Sequence, residues 1–148
     1  MQFEQIGLVD HPPDLAERLV EWELPEVHLR GRLSHEETLM QMAKSDVLVV
    51  IQPMSTLQVP AKLYEMLTFR KPILVITKDG ATADVINEYK IGLIADPKDP
   101  VKIADAIREL DLQMKAESFR GDWDRAIDAF DSRNLTSQLV NVMNQITN

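Results

Sequence analysis

The hydrophobic positions of this 148-residue chain fall into two alternating patterns. Short apolar runs rich in β-branched residues alternate with stretches whose apolar residues recur every three or four positions, which is typical of strand–helix units in a parallel sheet. Five apolar runs predict strands, and they occupy residues 3–9, 27–29, 47–53, 72–77 and 91–97. The third run, "VLVVIQP", is almost wholly apolar, so it is predicted to be the central strand, covered on both faces.

Stretches of helical period lie between and after these runs. They predict helices over residues 14–22, 34–45, 60–69, 79–89 and 99–110, and two more within 118–148. Ser34 and Glu37 form the capping-box pattern of a helix start, three positions apart. Neither an internal repeat nor a linker is evident, so we expect one domain over residues 1–148, with a βα core at 1–117 and a helical segment at 118–148.

Composition and charge narrow the function classes. The formal net charge of −8 opposes nonspecific binding to nucleic acid or an anionic membrane, because the field of the protein repels polyanions. The sequence has no cysteine, no apolar run of membrane-spanning length and no signal-peptide pattern. We therefore expect a cytoplasmic protein with no nucleic-acid partner. His11, His28 and His35 lack metal-ligand spacing, so no metal is expected.

Candidate ligand contacts come from the rule that open α/β sheets bind ligands at the carboxyl ends of their strands. That rule selects three segments, residues 31–32, 52–62 and 77–83. Within the second, Pro60, Ala61 and Lys62 begin a helix whose first amides are unpaired and carry partial positive charge. Lys62 adds a full charge, and Glu65, one turn further on, can accept hydrogen bonds from sugar hydroxyls. The pattern indicates a nucleoside diphosphate as ligand.

The segment "VPAKLYEMLTFRKPILVI" resembles the Pro-x-Lys-Leu-x-Glu-Tyr-x-x-x-Gly-Lys-Pro-Val signature of bacterial GT-B glycosyltransferases of the family-4, group-1 type. Two other segments resemble further parts of that family in the same order, "VHLRGRLSHEETLMQMAKSDVLVVIQP" and "IGLIADPKDPVKIADAI". The resemblance extends over about residues 3–110. It implies an α/β fold with a Rossmann-like parallel sheet of about five strands and helices on both faces, as an incomplete GT-B C-terminal domain.

The same resemblance implies a function. Such a domain binds the nucleotide-diphosphate sugar that donates the sugar, with no metal or other cofactor, and the full-length enzyme transfers the sugar to a saccharide, a lipid or another acceptor. The acceptor belongs to a preceding N-terminal domain that is absent here, so this domain alone is not expected to be active. In the full-length enzyme a peripheral position at the membrane is also compatible with the family.

The resemblance assigns donor-binding roles to six residues, Gly31, Arg32, Pro60, Ala61, Lys62 and Glu65. Glu65 matches the glutamate that binds the ribose hydroxyls, and the amides of Ala61 and Lys62 match those that face the diphosphate. Arg32 follows the glycine at which the family backbone contacts the base. No catalytic residue is assigned.

Three departures from the family pattern stand out. Many members of the family have two glutamates separated by seven residues, and the first of these binds the donor sugar. Leu57 occupies the place of that first glutamate. Arg70 replaces a glycine after the helix, so a left-handed non-glycine cap is expected there. The family's first βα unit has no counterpart before Phe3. Two strand edges then lose a partner, so we expect either direct pairing of the strands at 3–9 and 47–51 or a strand supplied in trans.

Other interpretations stay open. Lys62 with Glu65 is also the pattern of an ordinary surface ion pair, and Arg32 that of a solvated arginine. The chain lacks the glycine motifs of a dinucleotide oxidoreductase or a P-loop. The main alternative is a non-catalytic α/β binding module derived from a transferase half, which Leu57 favours. An apolar stripe at helical spacing, comprising Leu139, Val142, Met143 and Ile146, predicts either a homodimer or a helix folded back on its own sheet.

Overall fold

The computed structural model describes residues 2–7, 14–24 and 26–146, and the chain divides into two compact units, Met1–Lys44 and Ser45–Asn148. Each unit combines parallel strands with helices, which confirms the predicted α/β class. Among the described residues the five expected strands are present, and they are paired as one sheet of two strands and another of three. The fold is therefore Rossmann-like and partial.

In its described part, the first unit contains two strands and two helices, β1 (Phe3–Ile6), α1 (Leu15–Glu21), β2 (Val27–Arg30) and α2 (His35–Lys44). β1 and β2 are parallel, with Phe3 opposite Val27 and Ile6 opposite Arg30. The last two residues of the predicted first strand, 8 and 9, lie outside the described residues.

The capping box at α2 is confirmed in both directions. The amide of Glu37 donates to Ser34 Oγ at 3.2 Å, and the amide of Ser34 donates to Glu37 Oε2 at 2.8 Å. These hydrogen bonds hold the pKa of the Glu37 carboxyl below its ordinary value, chiefly through the Ser34 backbone and then through its side chain. The first turn of α2 is thus closed by its own side chains.

The second unit contains three strands and five helices in its described part. They are β3 (Leu48–Gln52), α3 (Ala61–Leu67), β4 (Ile73–Thr77), α4 (Ala81–Tyr89), β5 (Gly92–Ala95), α5 (Pro100–Lys115), α6 (Trp123–Phe130) and α7 (Ser132–Ile146). The strands are parallel in the order β3-β4-β5, so β4 is the central strand of this sheet. The prediction that the third apolar run is central is wrong here, because an apolar run reports burial on both faces rather than position in the sheet.

The pairing expected between the first and third strands is not among the described pairings, which join β1 to β2 and β3 to β4. Ile51 of β3 is 61% exposed although it belongs to an apolar strand. A strand supplied in trans therefore stays a prediction.

Helices cover both faces of the three-stranded sheet, as predicted. Leu74 and Ala95 pack with Ala106 and Leu110 of α5 into one core. Ile73 and Val75, which alternate with Leu74 along β4, are fully buried, so the opposite face is covered as well. α4, which contacts β4 and β5, also carries fully buried Ile86.

The two C-terminal helices are packed differently. α6 buries Ala126 completely. The centroid of its Phe130 ring lies 4.9 Å from the ring centroid of Tyr64 in α3 and 5.8 Å from that of Tyr89 in α4. Every residue of α7 is exposed, so the structure shows no fold-back of its apolar stripe onto the sheet.

The left-handed cap after α3 is confirmed. Arg70 has φ of 54°, and its amide donates to the Leu67 carbonyl at 3.1 Å. A side chain at this φ crowds its own backbone, at a cost of roughly 1–2 kcal/mol relative to glycine. Arg70 also pairs with Asp124 of α6 at 2.5 Å, through side chains that are 51% and 82% exposed. Such an exposed pair offsets little of the backbone cost.

Candidate functional site

The start of α3 lies at the carboxyl end of β3, where the sequence predicts ligand binding. Pro60 precedes the helix in extended conformation, with φ of −62° and ψ of 133°, and offers no side-chain cap. The Leu63 amide donates to the Pro60 carbonyl at 2.9 Å, whereas the described residues give the amides of Ala61 and Lys62 no hydrogen-bond partner. Two N–H groups and the positive end of the helix thus remain open to a ligand.

Lys62 and Glu65 lie on the first turn of α3 and pair with each other. Lys62 Nζ is 2.8 Å from Glu65 Oε2, and the two side chains are 37% and 43% exposed. This is the surface ion pair that the sequence leaves open as an alternative. Because exposed pairs contribute about 0–1 kcal/mol, little free energy holds the two groups together against a competing ligand.

The loop of residues 53–59, which leads into α3, is held by a polar network that sequence reasoning missed. Gln52, at the end of β3, donates from Nε2 to the Gln58 carbonyl at 2.7 Å. Thr82 Oγ1, in α4, lies 2.6 Å from Gln52 Oε1, to which it donates, and 3.1 Å from the Gln58 carbonyl oxygen. Thr77 Oγ1 donates to the Gln52 carbonyl at 3.0 Å and so ties β4 to β3.

The same loop closes the start of α4. The Ala81 amide, first in that helix, donates to the Thr56 carbonyl at 2.8 Å. Gly80 precedes it with φ of 149°, and a Cβ built on Gly80 would lie 2.2 Å from the Thr56 carbonyl oxygen. Only glycine allows the two backbones to approach this closely. The Asp79-Gly80 turn of the sequence is therefore a backbone-to-backbone clamp as well as a turn.

The tip of the loop is apolar. Met54 is 93% exposed and Leu57 is 94% exposed. Leu57 thus presents an aliphatic side chain to solvent at the position where the family resemblance expects a sugar-gripping glutamate.

The two remaining predicted contacts, Gly31 and Arg32, lie in the first unit, just after β2. Both are exposed, and the Gly31 carbonyl accepts a hydrogen bond from the Gly7 amide at 3.2 Å. A Cβ on Gly31 would meet nothing within 4 Å, so packing within the described chain does not require glycine there.

Within residues 2–7, 14–24 and 26–146, no three His, Asp or Glu side chains are grouped so as to hold a metal ion. In the same ranges, no helix has both the length and the apolar character needed to cross a membrane. His11, considered as a metal ligand in the sequence, lies outside them.

Parallel strands flanked by helices, with an open helix start at the carboxyl end of a strand, define a partial Rossmann-like α/β domain. The family described as "Glycosyl transferases group 1" matches residues 1–111, and the chain belongs to this family. It is a glycosyltransferase domain of the GT-B, group-1 type.

A relative of this chain is also named a glycosyltransferase. The "Probable glycosyltransferase WbjE" of Pseudomonas aeruginosa is 40% identical to this chain over 88 residues. The match covers 55% of this chain and 22% of that protein, so the chain corresponds to under a quarter of its relative.

Proposed function

We propose that this chain forms part of the donor side of a glycosyltransferase and binds the nucleoside diphosphate of a nucleotide sugar at the start of α3. The observation that carries the proposal is the pair of open amides at Ala61 and Lys62. They lie at a strand's carboxyl end in a chain of a glycosyltransferase family. Family membership also favours this function over a non-catalytic binding module.

The proposed roles follow from the chemistry of each group. The amides of Ala61 and Lys62 donate to diphosphate oxygens, and the Lys62 ammonium adds a charge-assisted contact. Glu65 releases Lys62 and accepts hydrogen bonds from the ribose hydroxyls. Exchange of partners is plausible because the Lys62–Glu65 pair is exposed and weak. Pro60 fixes the approach of the chain to the first turn.

Gly31 and Arg32 belong to the first unit, where they follow β2. From the family resemblance alone, we propose them as backbone contacts of the nucleotide base. The proposal includes no metal, and the two open amides and the Lys62 ammonium offset part of the negative charge of the diphosphate.

Calorimetric titration with uridine, guanosine and adenosine diphosphates tests the assignment. We expect one of the three to bind, and Glu65→Ala to weaken that binding by roughly 1.5–3 kcal/mol, the contribution of hydrogen bonds to a charged group. Glu109→Ala is the matched control, because Glu109 is an exposed acidic residue of α5 that accepts a hydrogen bond from Gln113 Nε2 at 2.9 Å. An affinity unchanged by Glu65→Ala removes Glu65 from the site.

We propose that the chain by itself does not transfer sugar, because a transferase must position donor and acceptor together. The acceptor, a saccharide, a lipid or another compound, is held by a further domain of a longer enzyme. Transfer of a labelled hexose from a nucleotide sugar to any acceptor by the purified chain contradicts this. Hydrolysis of the donor does not, since water needs no acceptor site. We place the activity in the cytoplasm, in keeping with the lack of cysteine.

We also propose that a second copy of the chain covers the apolar stripe of α7. Leu139, Val142 and Ile146 repeat with spacings of three and four, as in a coiled-coil seam, and are 51–79% exposed. Arg133 is the one charged residue of α7, so two such helices approach without the repulsion that a net charge of −8 imposes elsewhere. Sedimentation should show a dimer that Val142→Asp dissociates. A monomer at high concentration contradicts the proposal.

A further inference from the structure

We infer that Gln52 and Thr82 are positioning residues that hold the loop of residues 53–59, and with it the start of α3, in the geometry that a donor diphosphate requires. The inference rests on the proposed function. Both side chains lie beside the proposed ligand contacts, and the proposed function gives neither of them a contact with the ligand.

The side chains of Gln52 and Thr82 and the carbonyl of Gln58 form a closed set of hydrogen bonds. The Gln52 side chain accepts from the Thr82 hydroxyl at 2.6 Å through Oε1 and donates to the Gln58 carbonyl at 2.7 Å through Nε2. One side chain therefore bridges a helix and a loop that are separated by more than twenty residues in sequence. Thr82 is 2% exposed, so water does not readily replace its hydroxyl as a partner.

The bonds to the loop lie close to the start of α3. Gln58 lies two residues before Pro60, and Thr56 is held separately by the Ala81 amide at 2.8 Å. Two carbonyls of a seven-residue loop are thus fixed to the start of α4, immediately before the chain turns into α3. With both fixed, the amides of Ala61 and Lys62 are presented in one orientation before any ligand arrives, which lowers the ordering cost of binding.

A second buried threonine, Thr77, allows the positioning role of Thr82 to be separated from its contribution to packing. Thr77 is as buried as Thr82, and its hydroxyl also makes a hydrogen bond to a carbonyl, that of Gln52. That bond joins two strands that are already paired, Gln52 with Thr77, and it does not reach the loop. Thr77→Val is therefore a matched control, since it removes the same chemical group from an equally buried site.

The experiment measures exchange of the Ala81 amide hydrogen, because that amide is bonded to the loop carbonyl of Thr56. In the full chain, Thr82→Val should speed its exchange about fivefold, the factor that corresponds to one neutral hydrogen bond. Gln52→Glu should speed it more, because it removes the donor and places a carboxylate against the Gln58 carbonyl. Thr82→Ser, which keeps the hydroxyl, and Thr77→Val should leave it unchanged.

Urea unfolding of each variant separates loop release from general loss of stability, and titration with the three nucleoside diphosphates gives the second readout. Gln52→Glu should weaken the binding seen for the unmodified chain about tenfold. Equal exchange at Ala81 in Thr82→Val and in the unmodified chain overturns the inference, as does an equal acceleration in Thr77→Val. If no nucleoside diphosphate binds the unmodified chain, the proposed function fails, while the exchange comparison still decides whether the two residues hold the loop.

Discussion

Two of the helix starts at the carboxyl edge of the three-stranded sheet, those of α3 and α4, differ in how their first amides are used. At α4 the chain supplies its own acceptor, because the Thr56 carbonyl takes the Ala81 amide at 2.8 Å. At α3 the amides of Ala61 and Lys62 are left open in the described structure, with a lysine and a glutamate on the same turn. The protein therefore uses the loop between β3 and α3 to close one helix start while it leaves the other accessible to a ligand.

An open start alone does not define a site. α6 also lacks a side-chain cap at Asp122, but it follows another helix and not a strand. α3 differs because it begins where a parallel strand ends, at the edge where open α/β sheets bind ligands. Position in the sheet, added to the open amides, distinguishes α3 from the starts of α4, α5 and α6 in the second unit.

The largest expected effect on stability comes from a substitution that disrupts the start of α4. Gly80→Ala places a Cβ about 2.2 Å from the Thr56 carbonyl oxygen at a φ of 149°, so loop and helix must separate. We expect a loss of about 3 kcal/mol in the free energy of unfolding, from backbone strain and overpacking. Urea denaturation measures it. The matched control is Gly31→Ala, where a Cβ meets nothing within 4 Å and the change should stay within about 0.5 kcal/mol. Equal effects of the two substitutions contradict the clamp.

A smaller effect is expected at the other end of α3. Arg70→Gly should raise the free energy of unfolding by about 1 kcal/mol, because glycine accepts the φ of 54° without a crowded Cβ. Arg70→Ala loses the same exposed pair with Asp124 but keeps the Cβ, so it should give no gain. Thermal unfolding compares the two variants. If Arg70→Ala stabilises the chain as much as Arg70→Gly does, backbone strain at Arg70 is not the cause of the gain.

The smallest effect concerns α2, whose start is closed by side chains. The pKa of the Glu37 carboxyl is lowered in the folded chain, so ionised Glu37 favours folding. This stabilisation is complete above the ordinary carboxyl pKa and is lost as the pH falls through the lowered, folded value. The Ser34 amide donates to Glu37 at 2.8 Å, so its protection, measured as its exchange rate relative to that of an unstructured peptide at the same pH, should decrease in that acidic range. Glu37→Gln should abolish the pH dependence of this protection and Glu36→Gln should preserve it. Protection that does not change with pH in the unmodified chain rejects the capping contribution.

Local features of the fold were predictable from the sequence because their causes are local. The Ser34–Glu37 box and the left-handed Arg70 follow from residues a few positions apart. The edge position of β3 was not predictable from its apolar run, which indicates burial but does not say which strand lies alongside.

In the candidate site, too, one part was predictable from the sequence and another was not. The open start of α3 was expected from Pro60 and its neighbours, and the structure places it at the end of β3. The network of Gln52, Gln58 and Thr82 joins residues up to 30 positions apart, and no periodicity or motif signals such a pairing. Only the folded chain brings the three groups together, and the ligand roles of the site residues stay predictions.

If the proposed function holds, the start of α3, and not that of α4, receives a nucleoside diphosphate. Nuclear magnetic resonance can follow the amide signals of the isotope-labelled chain during titration with uridine, guanosine and adenosine diphosphates. We expect one nucleotide to shift the amide signals of Ala61 and Lys62 while that of Ala81, already bonded to Thr56, stays in place. Shifts at Ala81 without shifts at Ala61 and Lys62, or no response of either helix start to any of the three nucleotides, contradict it.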